Sequence, residues 1–388
     1  MKDKLNVVDL FCGCGGFGLG AEMAGFHTLV AVDIDETLQS AYKKNFPTTH
    51  VLRGDLATMN EESWRILLGD NKIDGVIGGP PCQGYSRMGK SDVNDPRRSL
   101  LQHFFRHVNI ISPKFFVMEN VEGLLDKKNI IELSAALAIL DEKYNVTPPF
   151  IIDASEFGVP TKRKRVIVIG YDPLYMDEIT AMDIYANKSD IKVNVRDAIS
   201  DLPSPSNLKL ESHDKNFGWA KYKEDISISI YAQNMRKIPD EGMGWEDSIK
   251  FLKSGITSGF FDTIHTEHVK KRYSEVVPGN VDSISRSKRL TWEGVCPTLR
   301  AGTGADKGSY QAVRPLHPED ARVITIREAA RLQGFPDWFV FHTTKWHSFR
   351  MIGNSVSPIV SYQILKVISE KISHGNICDQ KERFVSSF

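Results

Sequence analysis

The chain has 388 residues, 41% of them apolar and 25% charged. That composition excludes a disordered or fibrous protein and allows a large core, with two or three domains or one domain carrying a long insertion. Basic and acidic residues balance at 49 each, so a globally basic nucleic-acid binder is excluded. Any contact with DNA must come from local clusters such as Lys162-Arg163-Lys164-Arg165, Lys270-Lys271-Arg272 or Arg286 to Arg289.

No run approaches the roughly 18–20 apolar residues of a membrane span. Met1-Lys2-Asp3-Lys4 leads straight into a strand-like stretch without the order of a secretory signal, so a cytoplasmic location is expected. Five scattered cysteines, Cys12, Cys14, Cys82, Cys296 and Cys378, argue against a disulfide framework, and without a CxxC pair a structural zinc site has little support. His103 with His107, and His265 with His268, have helical spacing but no third ligand at a telling distance, so no metal is expected.

In chain order, Leu5 to Phe11 reads as a buried strand, followed by a glycine-rich turn and a short helix near Gly18 to Ala24. Thr28 to Ile34 is a second strand and Glu36 to Asn45 a second helix. Ile73 to Ile77, Phe115 to Met118 and Val166 to Ile169 are further strands, with helices near Leu100 to Ile111 and Ile130 to Leu140. Strands alternating with helices predict an α/β fold, a mostly parallel sheet covered on both faces. From about Val195 to Ile324 the chain is polar and weakly periodic, as in a separate loop-rich region. Helical periodicity returns at Ile326 to Gln333 and Pro358 to Ile372, and a polar, disordered tail is expected after Gly375.

Three segments carry candidate chemistry. Asp9-Leu-Phe-Cys-Gly-Cys-Gly-Gly-Phe-Gly-Leu-Gly20 follows a strand, and Asp33 ends the next one. Glycines permit a tight turn and close approach of a ligand, while the acid can accept from ribose hydroxyls. This pattern points to a nucleoside-containing cofactor without choosing between a dinucleotide and S-adenosylmethionine. Gly78-Gly-Pro-Pro-Cys-Gln-Gly-Tyr-Ser86 places Cys82 on a proline-stiffened loop at a strand end. A nucleophile and an inert buried thiol fit that placement equally well. Phe116-Val-Met-Glu-Asn-Val-Glu-Gly-Leu-Leu125 brings Glu119 and Asn120 to the same sheet edge, for proton exchange with a base or for helix capping.

Together these segments resemble the DNA (cytosine-5)-methyltransferase family of the bacterial restriction-modification type. Asp95-Pro-Arg-Arg-Ser-Leu100, Phe157-Gly-Val-Pro-Thr-Lys-Arg-Lys-Arg165, Arg327-Glu-Ala-Ala-Arg-Leu-Gln-Gly-Phe-Pro336 and Ile352-Gly-Asn-Ser-Val356 follow in the family's order. The likeness covers about residues 1–170 and 320–372. The family's basic strand carries Gln-x-Arg-x-Arg, and Thr161 stands here at the Gln position.

The resemblance implies a Rossmann-like methyltransferase domain over residues 1–195, completed by 345–388, with a target recognition domain and hinge over 196–344. It implies that Cys82 attacks C6 of a flipped-out cytosine, that Glu119 stabilises the protonated N3 edge, that Arg163 meets the ring carbonyl and that Arg165 supports the thiolate or the loop, with Asn120 also in the catalytic set. For S-adenosylmethionine it implies Phe11, Gly13, Cys14, Gly15, Gly16, Asp33, Ile34, Asp55, Leu56, Pro81, Leu100, Asn354 and Ser355. For duplex DNA it implies Gln83, Ser86, Arg87, Arg97 and Thr298; separately, the Gly-rich, polar composition of Gln83 to Asp95 suits a mobile loop closing over the flipped base. A monomer in the bacterial cytoplasm or nucleoid, alongside a cognate endonuclease, would fit that family. Two other readings are an RNA cytosine-5-methyltransferase of the same fold and a DNA-binding relative without catalysis. A dehydrogenase would explain the glycines but neither Pro80-Pro81-Cys82 nor Gly353-Asn354-Ser355.

Overall fold

The computed structural model describes residues 4–81, 99–205, 217–224, 226–261, 265–301 and 314–385, with side chains up to 372. The apolar runs of the first half form strands β1 (Leu5–Leu10), β2 (Phe26–Asp33), β3 (His50–Arg53), β4 (Gly75–Gly78) and β5 (Phe115–Val121). These five pair in parallel in the order β3-β2-β1-β4-β5. β6 (Asn145–Val146), β7 (Phe150–Asp153), β8 (Thr161–Lys162) and β9 (Lys164–Tyr171) follow. β9 runs antiparallel to β5 and takes β6 and β7 as antiparallel partners. Strand order reverses between β1 and β4, and such a switch point leaves a crevice beyond the carboxyl ends of the strands. The glycine-rich turn after β1 and the loop after β4 both start there.

Alternate residues of each strand feed opposite faces, as a pleated sheet requires. Val7, Ile77, Val117, Ile167 and Ile169 join one apolar cluster with Phe17, Val360, Ile364 and Ile368. Val8, Val30, Val32, Val76, Phe116, Met118, Val166 and Val168 join the other, with Trp64, Phe104, Phe105 and Leu133. The covering helices are α1 (Gly16–Met23), α2 (Glu36–Asn45), α3 (Glu61–Leu68), α4 (Leu100–Ile111) and α5 (Ile130–Leu137). Asp35 caps α2, its carboxylate accepting from the Thr37 and Leu38 amides. His107 on α4 is engaged at both ring nitrogens, accepting from Trp64 Nε1 at 2.9 Å and lying 2.7 Å from the Leu56 carbonyl oxygen.

The remaining elements are short: α6 (Ala181–Tyr185), α7 (Val195–Ile199), β10 (Ala220–Lys221), α8 (Ile230–Met235), α9 (Glu246–Lys253), β11 (Ile256–Thr257), α10 (Glu267–Glu275) and β12 (Cys296–Pro297). β10 pairs antiparallel with β11, and β12 pairs parallel with β8. α11 (Ile326–Gln333), α12 (Lys345–Asn354) and α13 (Pro358–Val385) close the chain. A third apolar cluster gathers Leu19, Tyr42 and Phe46 with Ile199, Phe260, Leu299 and Phe335, so the residues before and after Val195 share a core.

α11 is buried along its whole length although it carries charges. Arg331 forks onto Asp337 at 2.8 and 2.6 Å and reaches Asp201 at 2.5 Å. Arg322 and Glu328 form a second two-pronged pair at 2.9 and 2.8 Å. The strands and the first four helices of the sequence reading recur, but α13 runs on to Val385, correcting the expected disordered tail after Gly375.

Candidate active site

A cavity of about 380 Å³ opens at the switch point, lined by the turn after β1, the end of β2, the start of the loop after β4, the end of β5 and α12. Its floor is built from unusual backbone. Phe11 has φ 56°, and Gly13 has φ 55°. A Cβ on Gly13 would meet nothing within 4 Å among the described residues, so this glycine serves backbone conformation and leaves space above it. The Gly13 amide donates to Asp33 Oδ2 at 2.9 Å, and the Asp35 amide donates to Oδ1 at 2.9 Å. Burial raises the Asp33 carboxyl above its ordinary value of 3.8 against these bonds. Next to it Ile34 is 61% exposed, an apolar side chain on the cavity wall left uncovered by the described residues.

Deeper in, Asp9 is buried, and its Oδ1 has no partner among the described residues, while Oδ2 accepts from Tyr42 Oη at 3.1 Å. Burial pushes this carboxyl up to about 8, with the Asp33 charge adding to the rise and the Tyr42 bond opposing it. Cys14 lies against Ser355 Oγ at 3.0 Å, and its thiol is pushed up to about 12 by burial, so it stays a neutral wall.

At the far wall, β5 and β9 deliver a charged pair. Arg165 Nε lies 2.7 Å from Glu119 Oε1, with both side chains largely buried. Asn120 accepts from the Val121 amide at 2.8 Å and donates to the Pro80 carbonyl at 3.2 Å. It therefore ties the strand to the proline loop that leads to Cys82. Arg163 has a different job. Its guanidinium donates to the carbonyls of Leu299, Gly353 and Ser355 at 3.3, 3.0 and 3.0 Å, which clamps β12 and α12 onto the end of the sheet. Thr161 donates to the Leu332 carbonyl at 2.5 Å and so docks the strand onto α11.

A second, larger cleft of about 590 Å³ adjoins the cavity, and both are walled by Val121 and Arg165. Lys162, Lys164, Arg165, Arg286, Lys288 and Arg300 line it, against the single carboxylate of Glu122. Thr298 is in this cleft and donates to the Lys162 carbonyl at 2.7 Å. The local charge that the neutral overall balance required is gathered here.

Of the residues singled out from sequence, the cavity brings together Phe11, Gly13, Cys14, Gly16, Asp33, Ile34, Pro81, Glu119, Asn120, Arg163, Arg165, Asn354 and Ser355. Gly15 caps α1 and packs against Phe46 and Tyr42. Asp55 sits on an exposed turn, Leu56 is buried in the adjoining core, and Leu100 begins α4; none of the three lines the cavity. Cys82, Gln83, Ser86, Arg87 and Arg97, and the proposed mobile loop, lie outside the described residues. The sequence reading missed Asp35 and Arg350, an ion pair at 2.5 Å on the cavity wall, and the buried Asp9. Asp9 had a visible signal, an acid inside an otherwise apolar strand.

A parallel sheet with an antiparallel β9, a glycine cradle and acid at the switch point, and a basic cleft adjoining it at Val121 and Arg165 describe an α/β enzyme with a cavity and a cationic groove side by side. The chain belongs to the C-5 cytosine-specific DNA methylase family, whose model matches residues 5–370, and it is a methyltransferase. It is 37% identical over 372 residues to the Type II methyltransferase M.XorII of Xanthomonas oryzae pv. oryzae, covering 94% of this chain and 85% of that one. It is 32% identical over 400 residues to the Type II methyltransferase M.DdeI of Desulfomicrobium norvegicum, covering 96% and 90%. Among solved structures, a protein described as a DNA modification methyltransferase encoded within an E. coli prophage matches with TM-score 0.83 and 40% identity, covering 95% and 100%. The Dnmt2 methyltransferase of S. pombe matches with TM-score 0.61 at 16% identity, a likeness of fold. No helix among the described residues is long and apolar enough to cross a membrane.

Proposed function

We propose that the protein methylates C5 of a cytosine flipped out of duplex DNA at a specific sequence, with S-adenosylmethionine as donor and Cys82 as covalent nucleophile. The observation that carries this reading is the shared wall of cavity and cleft. A pocket fit for a nucleoside and a groove fit for phosphates meet at Arg165, which holds Glu119.

The cavity suits the donor on its own chemistry: open space over Gly13, an uncovered apolar Ile34 for an adenine face, Asp33 for ribose hydroxyls and an unpartnered Asp9 oxygen. When bound there the donor supplies an electrophilic methyl group. The reaction needs the base outside the stack, because C5 and C6 are inaccessible within a duplex. The Cys82 thiolate adds to C6, which breaks the ring's conjugation and makes C5 electron-rich. Glu119 and Arg165 face that ring, the carboxyl sharing a proton with N3 and the guanidinium donating to the carbonyl oxygen. Arg163, committed to three backbone carbonyls, acts in this reading as the clamp of the site. After methylation, loss of the C5 proton drives out the thiolate and restores the ring.

The two-part organisation, residues 1–195 with 345–388 against 196–344, belongs to the same proposal, as do action as a monomer in the bacterial cytoplasm and a partner endonuclease at the same site. It is supported by a cleft with lining residues on both sides of position 195. The test is a trap: site-bearing DNA with 5-fluorocytosine at the target blocks the final proton loss. A denaturation-stable adduct on Cys82, formed only with donor present, is expected. Transfer to ordinary DNA without any adduct on the fluorinated duplex would overturn the covalent step. Transfer to tRNA in place of duplex DNA would overturn the substrate.

A further inference from the structure

The cleft wall opposite β5 is a hairpin whose construction exceeds what packing requires. Its two arms are joined by the Gly279 amide to the Arg289 carbonyl at 2.9 Å, the Arg289 amide to the Asn280 carbonyl at 2.8 Å and the Asp282 amide to the Ser287 carbonyl at 2.9 Å. Its base is locked by Arg289, 6% exposed, whose guanidinium donates to the carbonyls of Tyr273, Ser274, Val276, Pro318 and Glu319. Its turn is locked by Asp282, 1% exposed, which accepts from Arg272 Nε at 2.9 Å and from the Ser285 amide at 2.6 Å.

On this fixed base the tip presents Ile284, 67% exposed, and Arg286. Arg286 has φ 60°, a left-handed conformation that a non-glycine residue rarely holds, and its guanidinium has no carboxylate partner among the described residues. A glycine would serve the turn better. Strained backbone of this kind persists where a side chain is needed at that place.

We infer that Arg286 is a specificity-determining residue that reads a guanine in the target duplex, donating both guanidinium prongs to O6 and N7 in the major groove. The inference rests on the reading of the cleft as a DNA site. A fixed backbone and a planar two-pronged head together set this residue apart from the cleft lysines: base reading needs a paired donor held in place, whereas phosphate contacts accept a point charge. Lys162, Lys164 and Lys288 carry point charges suited to the backbone.

Arg286→Gly tests this without threatening the fold, since glycine adopts the observed φ freely, and a melting temperature at or above that of the parent is expected. The recognition sequence is mapped by bisulfite sequencing of DNA from cells expressing the parent. Binding of cognate and singly substituted duplexes is then measured for both proteins across salt concentrations. In the variant, discrimination at one G·C pair should fall by about ten- to a hundredfold, with selectivity at other positions kept. Equal weakening on all duplexes, with the salt slope reduced by about one, would make Arg286 a phosphate contact and overturn the inference. Unchanged discrimination would overturn it as well. A parent that methylates no DNA would instead overturn the proposed function.

Discussion

Glu119 and Arg165 meet because β5 and β9 run antiparallel with Val121 opposite Arg165. Glu119 is two residues before Val121 and so shares its face, and a diagonal neighbour is within reach of a long side chain. The result is the 2.7 Å contact at the junction of cavity and cleft. Arg165→Ala leaves the carboxylate without its cation. Turnover should fall by about a hundredfold or more, while affinity for S-adenosylhomocysteine changes less than tenfold. Single-turnover transfer and calorimetric titration measure the two quantities, and a comparable loss in both would make the pair structural.

Asn120 joins the same strand to the Pro80 carbonyl. Asn120→Asp keeps the acceptor for the Val121 amide but removes the donor to Pro80. The loop beyond loses one tether, so the maximal rate should drop about tenfold with duplex binding nearly unchanged. A variant with parental rate would show that the proline loop needs no such anchor.

Asp9 makes stability depend on pH. Its folded value of about 8 lies above its ordinary 3.8, so between these the folded chain keeps a proton that the unfolded chain has released. This contribution to stability is present at acid pH, declines as pH rises through that window and levels off above about 8. Asp9→Asn removes the dependence, and the melting temperature of the variant relative to the parent should rise steadily from pH 4 to pH 8. Parallel melting curves for the two proteins would show that Asp9 does not titrate there.

Gly353 has the carbonyl that receives Arg163, and a Cβ there would stand 2.4 Å from the Ala301 nitrogen and the Arg300 carbonyl carbon. Backbone has to move to admit it. Gly353→Ala should cost about 1–3 kcal/mol, the usual range for overpacking, and should lower activity by loosening the Arg163 clamp. Urea denaturation measures the first effect, and an unaltered midpoint would mean that the segment after β12 yields freely.

The parts of the fold legible in the sequence were those fixed by local pattern. The buried strands and α2 and α4 have periodicity of their own, α2 also has its Asp35 cap, and the order of segments placed Asp33 and Glu119 at one edge of the sheet. What stayed hidden depends on partners remote in the chain. Arg350 pairs with Asp35 across the whole molecule, and neither residue has a neighbour in sequence that announces the other. Arg327, Glu328 and Arg331 are charged yet buried, because Asp201, Arg322 and Asp337 arrive from elsewhere to neutralise them. Arg163 and Arg165 stand two apart in one basic run, and only the packing of β12 and α12 separates the clamp from the partner of Glu119.

The packing of α13 on α1 bears on how the molecule is made. Val360, Ile364 and Ile368 seal Phe17 and Ala21, which lie far earlier in the chain. During synthesis α1 and the part of the sheet face beneath α13 wait for that helix, while the opposite face can already close under α3, α4 and α5. A chain halted near position 357 is therefore a sticky intermediate and a ready client for chaperones and proteases.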